Sequence, residues 1–277
     1  MRFPEFTGEW EIVSLKDIAV VNPKSEPLLN KFFYIDLESV EKGELKKIQE
    51  ILQEEAPSRA QRVISNNDIL FQCVRPYQKN NYIHRVKNTS NIQWIASTGY
   101  AQIRTTESPN YIYHLLNTDG FNRKVMVRCT GSSYPAINSE DLSAIRFYLS
   151  TDKKEQCKIA RLLDLLDERI STQNKIIEDL KKLKSAIIDK LYSSTNGETY
   201  SFRQLFEVVN EKNKARAYKN VLSASQELGM IERSDINIDI KFEQESISGY
   251  KIVRKGDYVV HLRSFQGGFA FSDRTRP

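Results

Sequence analysis

Arg75, Tyr77, Gln78 and Lys79 lie close together directly after a predicted strand. Arginine and glutamine carry forked donors and acceptors that match the edges of guanine and adenine, whereas lysine and tyrosine suit phosphates. A loop at the end of a strand is well placed to enter a groove of duplex DNA. The pattern therefore predicts a loop that binds nucleic acid, with an ordinary polar turn as the alternative.

A second candidate loop contains Gly131, Ser132, Ser133 and Tyr134. Small residues leave backbone N–H groups accessible, and such groups donate to phosphates or base edges. The alternative is a plain connector between two elements. We expect this loop to take part in the same binding surface.

The sequence offers little for catalysis. No P-loop of the form GxxxxGK[ST] occurs, so we expect no ATP-driven step. A methyltransferase would need a glycine-rich adenosylmethionine loop and an NPPY-type tetrad, but Asn22-Pro23 continues without an aromatic residue. His84, His114 and His261 are isolated and lack metal-ligand spacing. We therefore expect no catalytic residue, no metal and no cofactor.

Positive charge is concentrated in one part of the chain. The 277 residues carry a net charge of +5. Residues 66–136 contain eight basic and three acidic residues, so this stretch alone has a net charge of +5. Localised basic charge among tyrosine, glutamine and asparagine favours a surface that follows phosphates. The alternative is a solvated basic face.

Cysteine usage and hydropathy indicate the compartment. Cys73, Cys129 and Cys157 are odd in number and form no CxxC pair, so we expect reduced thiols, each packed as a small apolar group. Neither a signal peptide nor an 18-residue apolar run occurs. We expect a cytoplasmic protein without a membrane partner.

The longest predicted element of the chain that carries these loops is one long helix. From Glu155 to Leu191 the sequence contains no proline or glycine, and Asp152 with Glu155 resembles a capping box. Apolar residues recur with a seven-residue repeat, which predicts a narrow seam that pairs with another helix over roughly 55 Å. The seam positions are Ile159, Leu163, Leu166, Ile170, Gln173, Ile177, Leu180, Lys184, Ile187 and Leu191.

The fold class predicted around this helix is α+β. Residues 1–150 form a mixed domain of short strands and few helices, with residues 46–64 expected to be part helix and part loop. Residues 151–195 form the spacer helix. Residues 196–277 then begin the same fold again as a partial second copy.

The second copy is visible in two matches at nearly one offset. LFEVVNEKN repeats DIAVVNPKS at an offset of 188, and IVRKGDYVVHLRSFQ repeats VISNNDILFQCVRPYQ at 189 and then 188. Two matches in the same order indicate a tandem duplication. The second copy offers Arg263 and Gln266 where the first has Arg75 and Gln78, so we expect them to bind DNA as well.

Taken together, these stretches resemble the DNA-specificity subunit of Type I restriction–modification systems. TGSSYPAINSEDLSAIRFYLS followed by EQCKIARLLDLLDERISTQNKIIEDLKKLKSAIIDKLYS carries the resemblance. The family pattern falls on Asp141, Leu142, Glu155, Gln156, Ile159, Leu162, Leu166, Asp167, Ile170, Leu180, Leu183, Lys184 and Leu191. One departure is TDKKEQ, where the family more often has proline before the helix.

The resemblance implies a non-catalytic subunit with two target-recognition domains, each followed by a long helix. The helices pair antiparallel, each domain reads one half of a bipartite DNA site, and the helices set the gap between the halves. The subunit recruits modification subunits that methylate adenine with adenosylmethionine. A restriction subunit hydrolyses ATP and cleaves foreign double-stranded DNA in defence.

Length is the larger departure from the family. A complete subunit would finish the second recognition domain and add a second helix, so the chain resembles a truncated form. We expect the seam partner to come from a missing C-terminal part or from another copy. The alternatives are a half-subunit that homodimerises through the helix, a helical scaffold that binds only protein, and a remnant of a fused restriction–methylation enzyme.

Overall fold

The computed structural model describes residues 2–86, 92–225, 229–232, 244–260 and 269–273. The chain divides into two compact units: unit 1 (Met1–Lys190) and unit 2 (Leu191–Pro277). In the described residues, no helix combines the length and the apolar character that crossing a membrane requires.

Unit 1 alternates short strands with short helices before one long helix. Its elements are β1 (Trp10–Ser14), α1 (Leu15–Ile18), β2 (Ala19–Val21), β3 (Lys31–Ile35), β4 (Val40–Glu41), β5 (Glu44–Leu45), β6 (Gln49–Leu52), β7 (Ala60–Ile64), β8 (Ile69–Gln72), β9 (Tyr82–Ile83), β10 (Gln93–Ser97), β11 (Tyr100–Thr105), α2 (Pro109–Leu116), α3 (Asp119–Met126), α4 (Ser139–Ser143), β12 (Arg146–Ser150) and α5 (Lys153–Ser193). This composition confirms the predicted α+β class.

Two four-stranded sheets form the body of unit 1, in the orders β6-β3-β10-β7 and β2-β11-β8-β9. β10 runs parallel to β3 and antiparallel to β7. The turn Thr98-Gly99 joins β10 to β11, an inner strand of the other sheet. A Cβ at Gly99 would lie 2.9 Å from Leu37 Cδ1, so a larger residue in this turn would displace the Leu37 side chain. β1 pairs with β12 beside these sheets.

The core of unit 1 follows the apolar runs of the sequence. Ile69, Leu70 and Phe71 are all buried in β8, as expected of a continuous apolar strand with both faces covered. The main cluster continues through Leu15, Ile103 and helices α2 to α4. Burying side chains of this size stabilises the fold by about 1.5–3 kcal/mol each.

The helix expected within residues 46–64 is a wrong prediction. The structure has β6 there, a 3-10 turn at Gln53–Glu55, and then β7. Ile51 pairs with Phe32 across β6 and β3, and it packs against the apolar cluster that contains Phe32. Cross-strand packing of this kind outweighs the intrinsic preference of a charged segment for helix.

α5 confirms the predicted long helix and extends it to 41 residues, which is about 62 Å. The Asp152 carboxylate accepts from the backbone N–H groups of Lys154 and Glu155, at 2.7 and 3.3 Å. It therefore caps the helix as predicted. The other half of the capping box is wrong, because the Glu155 side chain instead accepts from Arg2, Trp10 and Ser150.

Unit 2 contains α6 (Phe202–Leu205), β13 (Leu222–Ser225), β14 (Gly229–Glu232), β15 (Tyr258–Val260) and β16 (Phe269–Phe271). Ser201 and Gln204 form a capping box before α6, as Ser14 and Asp17 do before α1. β13 pairs with β14, and β15 pairs with β16.

The register of unit 2 repeats that of unit 1. Tyr258 pairs with Phe271 and Val259 with Ala270, where unit 1 pairs Ile69 with Ile83 and Leu70 with Tyr82. These pairs are related by the offsets of 189 and 188 found in the sequence. The hydrogen-bonded pairs of these strands thus follow the same offsets as the two sequence matches.

The turn before each of these strands also repeats. Ser65 N donates to Asp68 Oδ2 at 2.8 Å, and Arg254 N donates to Asp257 Oδ2 at 2.7 Å. The residue before each aspartate is left-handed, with φ of 69° at Asn67 and 95° at Gly256. Glycine and asparagine are the residues that tolerate this conformation.

Candidate nucleic-acid interface

Two loops of unit 1, residues 73–80 and 130–137, are joined by backbone hydrogen bonds. Arg75 N donates to Pro135 O at 2.8 Å, and Ile137 N donates to Cys73 O at 3.1 Å. Val74 and Ala136 form an isolated bridge between the loops. The two loops predicted separately from the sequence therefore lie side by side.

Arg75 is held against Tyr134 at this junction. Its guanidinium carbon lies 4.3 Å from the centroid of the Tyr134 ring. Arg75 adopts the left-handed conformation, φ 55° and ψ 53°, just before the 3-10 turn Pro76–Gln78. A non-glycine residue in that region costs about 1–3 kcal/mol, and such conformations cluster at functional sites. Within the described part of the chain, no carboxylate pairs with Arg75, so its charge is available to a ligand.

The side chain of Gln72 holds the same loop through two hydrogen bonds. Its buried side chain donates from Nε2 to Gln78 Oε1 at 2.9 Å and accepts at Oε1 from Asn80 N at 3.0 Å. Its backbone N–H donates to Asn81 Oδ1 at 2.8 Å. The contacts orient Gln78, whose side chain is exposed.

A cleft of about 880 Å³ opens between these loops and the β3–β4 connection. Its polar lining includes cations, carboxylates and amides, so donors and acceptors are both present. Arginine matches guanine, glutamine and asparagine match adenine, and glutamate accepts from cytosine N4. The lining residues are Leu37, Glu38, Val40, Glu41, Arg59, Gln72, Val74, Arg75, Gln78, Asn80, Thr98, Gly99 and Tyr134.

Three of the residues proposed from the sequence line this cleft: Arg75, Gln78 and Tyr134. Tyr77 lies in the 3-10 turn with its ring half exposed, outside the cleft lining. Lys79 Nζ donates to Asp119 Oδ1 at 2.5 Å, and this bond lowers the pKa of Asp119. Lys79 is therefore engaged with a carboxylate.

The remaining predicted residues lie beside the cleft or outside the described part. Gly131, Ser132 and Ser133 are exposed in the second loop. Gly131 has φ 88°, and a Cβ there would lie 3.0 Å from Tyr134 O, so the turn that presents Tyr134 favours glycine. Arg263 and Gln266 lie outside the described residues, as does His261.

Sequence reasoning missed Arg59, Gln72 and Asn80 at this cleft. Arg59 enters from the loop before β7, where its carbonyl accepts from Thr98 N at 2.9 Å. No local pattern marks Arg59, since only the packing of β7 against β10 brings it to the cleft. Gln72 and Asn80 flank the predicted loop and were identifiable only as its polar neighbours.

Two other titratable groups of unit 1, His84 and Cys73, are buried within the fold. Burial lowers the pKa of His84 to about 4 and raises the pKa of the Cys73 thiol to about 11. At neutral pH both groups are uncharged. Cys157 is exposed, which corrects the prediction that every cysteine packs as an apolar group. In the described residues, no cluster of three histidine, cysteine or carboxylate side chains is placed to hold a metal ion.

Buried polar residues at the start of α5 anchor it to the rest of unit 1. Arg2 donates to both Glu155 oxygens, at 2.5 and 2.8 Å, and Trp10 Nε1 donates to Oε2 at 3.1 Å. The adjacent Gln156 donates to Ser150 O at 2.7 Å. Glu155 and Gln156 are both fully buried. The Glu-Gln pair of the family pattern is thus an anchor between domain and helix.

Asp164, further along α5, adds a second connection. Its carboxylate accepts from Asn110 Nδ2 at 2.5 Å and from Arg85 Nη2 at 3.1 Å, and it lies 2.8 Å from His114 Nε2. Two side chains of α2, Asn110 and His114, and Arg85 from the segment after β9 therefore converge on one turn of the helix. They fix the direction in which α5 leaves the domain.

Most of the predicted helix seam is exposed beyond these anchors. Ile159 instead packs against the main core of unit 1, and Leu163 is half-buried. Ile159, predicted as the first position of the helix-pairing seam, is therefore covered by unit 1 itself. The exposed apolar seam positions are Leu166, Ile170, Ile177, Leu180, Ile187 and Leu191; Gln173 and Lys184 are exposed with them.

Comparison with protein families gives one match. The model described as Type I restriction modification DNA specificity domain matches residues 7–182. A comparison with curated proteins finds no match.

Two solved structures share the fold. One concerns complex assembly and conformational transition of the type I R-M system; it is 24% identical with a TM-score of 0.54, covering 72% of this chain and 52% of that one. The other, the HsdS subunit from Thermoanaerobacter tengcongensis, is 24% identical with a TM-score of 0.51, covering 72% and 53%. The chain therefore spans about half the length of these structures.

Proposed function

The chain belongs to the family of Type I restriction modification DNA specificity domains, and we propose that it acts as a DNA-specificity subunit whose unit 1 reads one half of a split DNA site. The cleft around Arg75, Gln78 and Tyr134 supplies the base-reading groups. The proposed subunit performs no catalysis itself. It directs modification subunits, which methylate adenine, and a restriction subunit to the DNA.

One observation carries this proposal: the guanidinium of Arg75 lies on the Tyr134 ring with no carboxylate partner among the described residues. Such a fixed arginine can donate two bonds to one guanine without first losing side-chain freedom. Gln78, fixed by Gln72, adds an amide suited to adenine. The basic residues between positions 66 and 136 would follow the phosphates.

The long helix supports the spacer role. A rod of about 62 Å spans about 18 base pairs, more than one turn of duplex. In this proposal its exposed apolar seam packs against a helix from another part of the complete assembly. In this proposal the paired helices fix the gap between half-sites and carry the modification subunits.

The exposed seam also favours a second candidate function, a half-subunit that dimerises through α5. Two identical copies would present two identical recognition units, so the target would be a symmetric split site. Light scattering of the purified chain separates the candidates. A monomer at all concentrations excludes the homodimer.

The deciding experiment maps adenine methylation after expression of the chain with its modification subunit. We expect a split motif. Arg75→Ala and Gln78→Ala should relax bases in one half-site alone, whereas Arg128→Ala, which removes an equal charge outside the cleft, should leave the motif unchanged. A protein-only scaffold would yield no motif and no salt-dependent DNA binding at low salt.

A further inference from the structure

Beside the cleft of unit 1, two side-chain amides form a hydrogen-bonded chain that starts at a backbone N–H group. Asn80 N donates to Gln72 Oε1 at 3.0 Å, and Gln72 Nε2 donates in turn to Gln78 Oε1 at 2.9 Å. Gln72 is 2% exposed at the end of β8, whereas Gln78 is exposed and lines the cleft. The chain of amides therefore runs from the interior of unit 1 to the proposed DNA-reading surface.

The polarity of this chain is set by the backbone, because an N–H group can only donate. Gln72 must turn Oε1 toward Asn80 N, so its Nε2 faces Gln78. Because Gln72 Nε2 donates, Gln78 must present Oε1 to it, which selects one of the two orientations of the Gln78 amide. In the described part of the chain no group accepts from Gln78 Nε2, so this end of the amide is a donor for a ligand.

The backbone that carries Gln78 is also fixed. The 3-10 turn Pro76–Gln78 lies between two left-handed residues, Arg75 with φ 55° and Lys79 with φ 53°. Gln78 N donates to Arg75 O and Lys79 N donates to Pro76 O, both at 3.0 Å. The Gln78 amide is therefore presented from a closed, hydrogen-bonded turn.

Two further amides hold the residues that follow this turn. Asn80 Oδ1 accepts from Lys42 N at 3.1 Å, and Asn81 Oδ1 accepts from Gln72 N at 2.8 Å. Asn81 Nδ2 donates to Asn117 Oδ1 at 3.0 Å, which connects the loop to the end of α2. These contacts hold in place the Asn80 N–H group from which the chain of amides starts.

We propose that Gln72 is a positioning residue for DNA specificity, which orients Gln78 so that Nε2 donates to N7 of a purine in one half-site. This inference rests on the proposed function. Adenine fits best, since the remaining lone pair of Gln78 Oε1 can accept from its N6 amine, whereas the major-groove edge of guanine carries acceptors only. Because the amide is already oriented, it binds the base with little loss of side-chain freedom.

The test uses the full chain co-expressed with its modification subunit and a library of duplexes. Comparison of the sequences selected by the parent chain and by Gln78→Ala locates the base pair that Gln78 reads, and we expect a purine there. The 7-deaza analogue of that purine has C–H in place of N7. It should weaken binding by the parent chain about 2- to 10-fold, because one hydrogen bond is lost.

Two substitutions of Gln72 separate orientation from structural support. In Gln72→Glu the introduced carboxylate still accepts from Asn80 N but also accepts from Gln78, so Gln78 turns Oε1 outward and the preference for the natural base over its analogue should vanish. Gln72→Leu leaves the Gln78 amide able to rotate, so binding should weaken while the preference remains. Because burial favours the protonated carboxyl, which can donate to Gln78 Oε1 as Gln72 does, Gln72→Glu is measured from about pH 5 to about pH 9, and its preference should be lost as the pH rises.

Retention of the preference by Gln72→Glu at every pH would overturn the inference, as would a pyrimidine at the position that Gln78 reads. Failure of the parent chain to select any sequence would instead contradict the proposed function itself. One readout needs neither DNA nor a buried substitution. By NMR, the Gln72 Nε2 protons should exchange slowly with solvent in the parent chain and faster in Gln78→Ala, and equal exchange would mean that Gln72 does not orient Gln78.

Discussion

The guanidinium of Arg75 lies 4.3 Å from the centroid of the Tyr134 ring, although the two residues come from loops distant in the chain. Backbone bonds between the loops, including Arg75 N to Pro135 O at 2.8 Å, hold this arrangement without help from the side chains. An arginine over a ring face keeps the N–H donors at the edge of its plane available. The cleft thus presents a fixed cation that needs little reorganisation to bind a base.

Replacing Arg75 should relax recognition at one base pair. We expect Arg75→Ala to cost about 1–3 kcal/mol of discrimination there, or about 5- to 150-fold, because the proposed bidentate contact with a base would be lost. Arg75→Lys should not restore it, since lysine lacks the fork. Competition between duplexes that differ at single positions measures the effect, with Arg128→Ala as the control. Equal weakening on all sequences would identify a phosphate contact instead.

Glu155 should make unit 1 sensitive to acid. The hydrogen bond from Arg2 holds the pKa of this carboxyl at about 2, below its ordinary 4.5, although burial opposes the shift. Ionised Glu155 therefore stabilises the fold above about pH 4.5, and this contribution is lost as the pH falls from about 4.5 to 2. We expect Glu155→Gln to be less stable than the parent chain at pH 7 and to converge with it near pH 2.

Fluorescence-detected urea unfolding measures this difference. Both tryptophans of the chain, Trp10 and Trp94, belong to unit 1, so the signal reports that unit alone. Glu9→Gln, at an exposed glutamate, is the control and should follow the parent chain at every pH. If the difference in unfolding free energy between Glu155→Gln and the parent chain stayed constant from pH 7 to pH 2, the lowered pKa of Glu155 would be contradicted.

Sequence patterns correctly predicted the elements that depend mainly on residues close to one another in the sequence. The repeat of α5, the cap at Asp152 and the strand preceding Arg75 all depend on neighbours in sequence, and the structure has each of them. β6 was missed because its pairing with β3 is a tertiary contact. The same reason explains Arg59, which reaches the cleft only through the packing of β7 and β10.

Loops were harder to predict than elements. Arg75, Gln78 and Tyr134 were identified by residue type, but their proximity depends on the Val74–Ala136 bridge, which no sequence pattern indicates. Lys79 was expected to be free for phosphate, and its pairing with Asp119 follows from the position of α3. Residue chemistry thus identified candidates, and long-range packing determined which of them meet.

The exposed seam of α5 should govern association with a partner helix. Ile177, half exposed, lies on the seam, whereas Lys175 faces away from it. We expect Ile177→Asp to weaken association at least tenfold by placing a charge in an apolar interface, and Lys175→Asp to have little effect. Light scattering and pull-down with the assembled subunits measure this. Equal effects of the two variants would exclude the seam as the interface.

Asp68 should be the most sensitive carboxylate of the first repeat. It is 1% exposed and accepts from Arg104 Nε and Nη2 at 2.8 Å each, and from Gln102 Nε2 at 2.7 Å. Asp68→Asn weakens the hydrogen bonds to a buried acceptor and removes the counter-charge of Arg104, whose side chain is 46% exposed, so we expect it to destabilise unit 1 by about 1–3 kcal/mol.

The repeat provides a matched control for this substitution. Asp257 occupies the same turn of unit 2 and accepts from Arg254 N at 2.7 Å, but it is half exposed. Asp257→Asn should leave the tryptophan-detected unfolding of unit 1 unchanged, while Asp68→Asn shifts its midpoint to lower urea. A shift of less than about 1 kcal/mol for Asp68→Asn would mean that the carboxylate charge contributes no more than an exposed pair does.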